Sequence, residues 1–83
     1  FVNEVVAHDS LIVRAKELAS QLASGPTKAF GGVKRMLLSS FSSPIESQLD
    51  KETRHIVGTM ETHDGPHGLN AFLNKEKPKF TGS

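Results

Sequence analysis

The chain has 83 residues, of which 36% are hydrophobic and 23% charged, with a net charge of +1 and no cysteine. A chain of that length forms one domain at most and removes only about 60% of its extended-chain surface from water. Disulfides, thiolate nucleophiles and cysteine-ligated zinc are excluded, and the near-neutral charge gives no bulk attraction to nucleic acid or to an anionic membrane.

Residues 1–7 form an extended segment, in which Phe1-Val2-Asn3-Glu4-Val5-Val6 is β-branched, partly alternating and reads as a single strand. Nothing else in the chain reads as a strand. The segment is therefore expected either to pair with something outside the chain or to lie extended and loose. With no initiator methionine ahead of Phe1, this predicts a cut in a longer chain. A helix over 9–24 follows, starting near Asp9 or Ser10, either of which can cap free N–H groups. Leu11, Ala15, Leu18 and Leu22 recur on one face of it. Ser24-Gly25-Pro26 ends it, with glycine suited to a left-handed cap and proline unable to continue the ladder.

A second helix over 26–38 carries Ala29, Phe30, Val33, Met36 and Leu37 as its apolar positions. The Gly31-Gly32 pair inside it costs roughly 1 kcal/mol per glycine relative to alanine. The pair reads as a place where close packing leaves no room for a side chain, since no phosphate-cradling pattern is present. Ser39 to Ser43 reads as a linker. Ser43-Pro44-Ile45-Glu46 combines a serine cap, a first-turn proline and a capping-box glutamate, and opens a helix over 43–62. Ile45, Leu49, Ile56, Val57 and Met60 form its apolar stripe. Asp50, Lys51, Arg54 and Glu61 lie opposite, toward solvent or a partner. His63-Asp64-Gly65-Pro66 breaks the chain, and a last helix over 66–75 is stopped by Pro78. The expected fold class is all-α: a small bundle of about four helices, antiparallel to their neighbours, with a short N-terminal extended segment.

Few residues point to chemistry. His63 and His67 are four apart, but Gly65-Pro66 lies between them and a third ligand, Asp64 or His55, would have to be recruited, so they read as exposed or capping residues rather than a metal site. Glu46, Asp50 and Glu52 stand among serine, glutamine and lysine, where solvent denies them the shielding that acid–base catalysis needs. The serines around Phe41 lack a nucleophile turn and read as caps and linkers. Phe72 and Lys75 differ. Three apart on a helix, they share a face, and an aromatic ring beside an ammonium group can pack an adenine and pair with a phosphate together. Composition alone makes Phe72 a core anchor and Lys75 a surface lysine. Lys77 and Lys79 add charge, yet three lysines with no aromatic platform make a poor nucleic-acid surface.

The terminal layout Gly68-x-x-Ala71-Phe72-x-x-Lys75-x-x-Pro78-x-Phe80-x-Gly82 resembles the C-terminal end of the enoyl-CoA hydratase/isomerase (crotonase) superfamily. The resemblance extends over Phe1–Val6 as the family's final strand, Leu22-Ala23-Ser24-Gly25-Pro26 as its alanine-rich helix and turn, Lys34-Arg35-Met36-Leu37, and Leu49 with Glu52 at the start of its long helix. His67 stands where the family often has glutamate, and Glu76 where a basic residue is common. The resemblance implies a C-terminal helical region whose parent binds acyl-CoA in a two-layer ββα-spiral core upstream of Phe1. That core holds the catalytic groups, so no catalytic residue and no turnover are expected here. The substrate of the parent is a coenzyme A thioester, with no covalently bound cofactor. Phe72 and Lys75 would contact the adenine and phosphate end of coenzyme A. The implied partners are the catalytic core and neighbouring subunits of a trimer-based homo-oligomer, not nucleic acid or membrane. The implied compartment is bacterial cytoplasm, or alternatively the mitochondrial matrix. A free-standing helical module that binds a protein partner is the competing reading.

Overall fold

The computed structural model describes residues 2–83. The chain is all-α. A single 3-10 turn, His8–Ser10, leads into α1 (Leu11–Ala23), followed by α2 (Thr27–Ser40), α3 (Ile45–Met60) and α4 (Asp64–Leu73). No strand occurs among the described residues. Val2 to Ala7 instead folds back along α1, where Val2 and Val6 line one open cleft with Leu11, Ala15 and Leu18. Arg14 donates to both oxygens of Glu4, at 2.8 and 3.1 Å, and fixes that approach. Phe1, the first residue of the expected strand, lies outside the described residues.

Several helix ends differ from expectation for identifiable reasons. Ser24 caps α1 in a right-handed conformation, and Gly25 has no positive φ. The glycine instead gives the Phe30 ring room: a Cβ would stand 2.6 Å from the far end of that ring, which would have to shift. α2 continues through Ser39 and Ser40, the start of the expected linker. Their hydroxyls donate back to the carbonyls of Met36 and Leu37, at 3.2 and 2.8 Å, without breaking the helix. The capping box at Ser43 is not formed. Pro44 is the cap residue of α3, so Ser43 stands one position too early and accepts from Lys51 Nζ at 2.8 Å instead. α3 stops at Met60, two residues short of expectation. α4 begins at Asp64, which places Pro66 in the first turn, where its missing N–H costs no helical bond.

α2 packs on α3 and α3 on α4, while α1 makes no comparable contact with the others. Gly32 lets α2 approach α3. It is buried, and a Cβ would collide with the His55 ring, whose Nε2 is enclosed without a hydrogen-bond partner. Gln48, also buried, ties the same pair by donating to the Met36 carbonyl at 3.4 Å. At the α3–α4 corner Gly65 sits against the Thr59 carbonyl, too close for any side chain.

The bundle is open. Its radius of gyration is 16.1 Å, against about 12 Å for a compact domain of this length. Among the described hydrophobic residues Ala71 alone is buried, while Leu11, Phe30, Leu37, Leu38, Phe41, Ile56 and Leu69 are exposed. Among the described residues, no helix is long and apolar enough to cross a membrane.

Candidate functional site

The end of α4 brings Phe72 and Lys75 to the surface in different ways. Phe72 lies in the last turn and is 78% exposed. The core-anchor role that composition favours is therefore not taken within this chain. α4 ends at Leu73, two residues before the expected end, so Lys75 leaves the helix and does not share its regular face with Phe72. The chain instead turns through a Schellman motif: the Lys75 amide donates to the Phe72 carbonyl at 3.1 Å and the Glu76 amide to Ala71 at 2.8 Å. Lys75 occupies the left-handed position of this motif, with φ of 57°. Glycine is the usual residue there, because a Cβ crowds the carbonyl in that conformation. A lysine is thus held at a strained corner next to an exposed aromatic ring.

Beyond the corner the tail runs back along α4. Pro78, Phe80 and Gly82 are half-buried against the helix, and the exposed Lys77 and Lys79 alternate with them. Phe80 lies over Gly68, where a Cβ would be only 3.0 Å from its ring. The Phe80 ring also meets His67 edge-on, with centroids 6.4 Å apart. The Lys79 amide donates to His67 Nε2 at 3.0 Å. That nitrogen must therefore be an acceptor, which places the neutral ring's proton on Nδ1. His63 stacks on His67 at 5.7 Å. His63, expected to be exposed or capping, is exposed and is the cap residue of α4, while His67 is half-buried under the tail.

The sequence offers Asp64 only as a recruited metal ligand, and its role as the acceptor for the tail is not foreseen there. Asp64 is 5% exposed and accepts three hydrogen bonds from the tail. The Thr81 amide reaches Oδ1 at 2.9 Å, the Thr81 hydroxyl the same oxygen at 3.1 Å, and the Gly82 amide Oδ2 at 2.7 Å. Its own amide donates to the Ser83 carbonyl at 3.0 Å. A carboxylate in the first turn of a helix is also favoured by the helix dipole. The Thr81 amide, ahead of the other donors, holds the Asp64 carboxyl down to about 2. Two consecutive amides, with Gly82 in the left-handed region at φ 76°, form a small anion-binding nest filled by the chain's own carboxylate. The sequence signal was an acidic residue at a helix start. Its partners lie 17 and 18 residues downstream, where no local pattern connects them.

The carboxylates of α3 remain solvated: Asp50 pairs with Arg54 at 2.8 Å, and Glu52 accepts from Gln48 at 3.4 Å. Neither arrangement resembles a shielded acid–base pair.

The model of the family described as enoyl-CoA hydratase/isomerase matches residues 1–83. A 1,2-epoxyphenylacetyl-CoA isomerase of Escherichia coli (strain K12) is 34% identical over 79 residues, which cover 95% of this chain and 30% of that protein. A probable enoyl-CoA hydratase of Rhodobacter capsulatus is 39% identical over 64 residues, covering 77% of this chain and 25% of that protein. A crystal structure of an enoyl-CoA hydratase from Geobacillus kaustophilus HTA426 superposes with a TM-score of 0.87 at 27% identity, over 99% of this chain and 31% of that one. This chain thus spans about a third or less of the length of these relatives. A match along every residue, joined to a shared fold, carries one conclusion: the chain belongs to the enoyl-CoA hydratase/isomerase family.

Proposed function

We propose that the chain is the C-terminal helical region of a family protein acting on acyl-CoA thioesters, with α4 and its tail closing over the coenzyme A end of the substrate. Phe72 packs the adenine and Lys75 pairs with a phosphate. The catalytic groups belong to a core outside these residues, so this chain alone turns over no 2-enoyl-CoA. Its apolar helix faces meet that core and neighbouring subunits of a homo-oligomer, in bacterial cytoplasm or a mitochondrial matrix. The observation that carries the reading is the corner at α4: a large ring left 78% exposed, followed by a lysine kept at a left-handed position that glycine would fill with less strain. Local strain of that kind persists where the side chain has a task.

Titration of coenzyme A into the labelled chain, followed by NMR, tests this at millimolar ligand. Shifts should concentrate at the Phe72 ring and the Lys75 amide, and should weaken by about tenfold in apparent affinity in Phe72→Ala and Lys75→Ala, since base–aromatic stacking is worth about 1–3 kcal/mol. No response at these two residues would sink the assignment. Turnover of a 2-enoyl-CoA by the chain would refute the absence of catalytic groups.

A further inference from the structure

We propose that Asp64 is a positioning residue for this coenzyme A site: by gripping Thr81 and Gly82 it holds the lysine-bearing strap 75–80 in one register along α4. The inference rests on the reading of Phe72 and Lys75 given above, and adds Lys77 and Lys79 to the surface that meets the ligand phosphates.

The strap is fixed at both ends. At its start the Schellman turn binds Lys75 and Glu76 to Phe72 and Ala71. At its finish three donors of Thr81 and Gly82 close on one carboxylate. Between them the Lys79 amide is held by His67 Nε2, and Phe80 fills the space over Gly68. This register leaves Pro78, Phe80 and Gly82 half-buried and Lys77 and Lys79 exposed, as Lys75 is at the corner. Hydrogen bonds to an ionised acceptor are about twice as strong as neutral ones. A nearly buried carboxylate stripped of its donors is costly, so the grip is favoured from both sides. Fixing the strap before a ligand arrives removes part of the ordering cost that three lysines on a free tail would incur on binding. Asp64 itself stays away from the ligand, since its oxygens are occupied by the tail.

Asp64→Asn keeps the shape but turns one acceptor into a donor facing donors. Hydrogen exchange at the Thr81 and Gly82 amides should rise at least about tenfold while the helical circular dichroism is kept. Coenzyme A affinity should fall by about tenfold. The pair Lys77→Ala and Lys79→Ala should weaken binding in the wild-type background and add nothing in Asp64→Asn, because the two changes act through one element. A merely structural Asp64 would produce no such coupling. If Asp64→Asn does not fold, removal of residues 81–83 frees the strap with α4 left whole, and the affinity and lysine-coupling outcomes apply to it, exchange being read at the Lys79 amide instead. A freed strap with wild-type coenzyme A affinity, unchanged exchange at Thr81 and Gly82, or additive losses would each overturn the proposal while leaving the Phe72–Lys75 reading standing. Failure of the wild-type chain to respond to coenzyme A would remove both.

Discussion

Asp64 and Lys75 are opposite cases of a residue set against its local preference. Asp64 is a charge in a nearly closed site, stabilised because three donors were brought to it. Its carboxyl is held down to about 2 in the folded chain, below the ordinary value near 3.9. The sign follows from linkage: a depressed carboxyl contributes stability that is complete above about pH 4 and is lost as pH falls toward 2. Acid titration read at the Thr81 and Gly82 amides should therefore show release of the tail in that window, and Asp64→Asn should flatten the response. A tail that stays closed below pH 2 would contradict the assignment. Lys75 bears a conformational cost that the backbone hydrogen bonds of its turn would offset equally well with glycine in its place. Lys75→Gly should raise stability by about 1 kcal/mol in urea melts, since glycine takes the left-handed position freely. The same change should weaken coenzyme A binding, so that stability and affinity move in opposite directions.

The elements were largely legible where proline and glycine punctuate the chain. Gly25-Pro26 and Pro44 each separate two helices, as their chemistry requires, whereas Gly65-Pro66, expected to break the chain, lies inside the first turn of α4, where a proline costs no helical bond. Ser39 and Ser40 were not legible as helix, because serine favours linkers unless its hydroxyl bonds back to the preceding turn, as both do. The grip on Asp64 escaped because it joins a helix start to a distant tail, and hydrophobic period carries no information about such pairs. Gly31-Gly32, in contrast, was readable as a close approach, and Gly32 is the one that makes it. Gly32→Ala should destabilise the α2–α3 pair by roughly 1–3 kcal/mol, as overpacked interiors do, although alanine suits a helix better by about 1 kcal/mol. Combining it with His55→Ala should recover most of the loss, since the ring is what the new methyl would strike. A cycle with no coupling energy would show that the contact does not govern the pair.

At the scale of the molecule, the chain exposes 7026 Å². A folded monomer of 9.0 kDa is expected to expose about 4,900 Å². The excess, about 2,000 Å², is more than one partner contributes to a standard protein interface, about 800 Å². The exposed row Phe30, Val33, Leu37 and Leu38 on α2, with Phe41 just past its end, accounts for part of it. Sedimentation at increasing concentration should therefore give masses above that of one chain, and Leu37→Glu with Phe41→Glu should shift them downward. A monodisperse, well-ordered monomer at high concentration would argue against these faces being interfaces.

The tail has one more consequence. By tying the first residue of α4 to residues 17 and 18 positions later, it converts a short helix and an irregular strand of chain into a single closed loop. A helix of this length is marginal by itself, and an extended tail has no ladder of its own. Joined in a ring, neither can fray without opening the other, so helix and tail should melt as one cooperative unit, separately from α1, which shares no such closure.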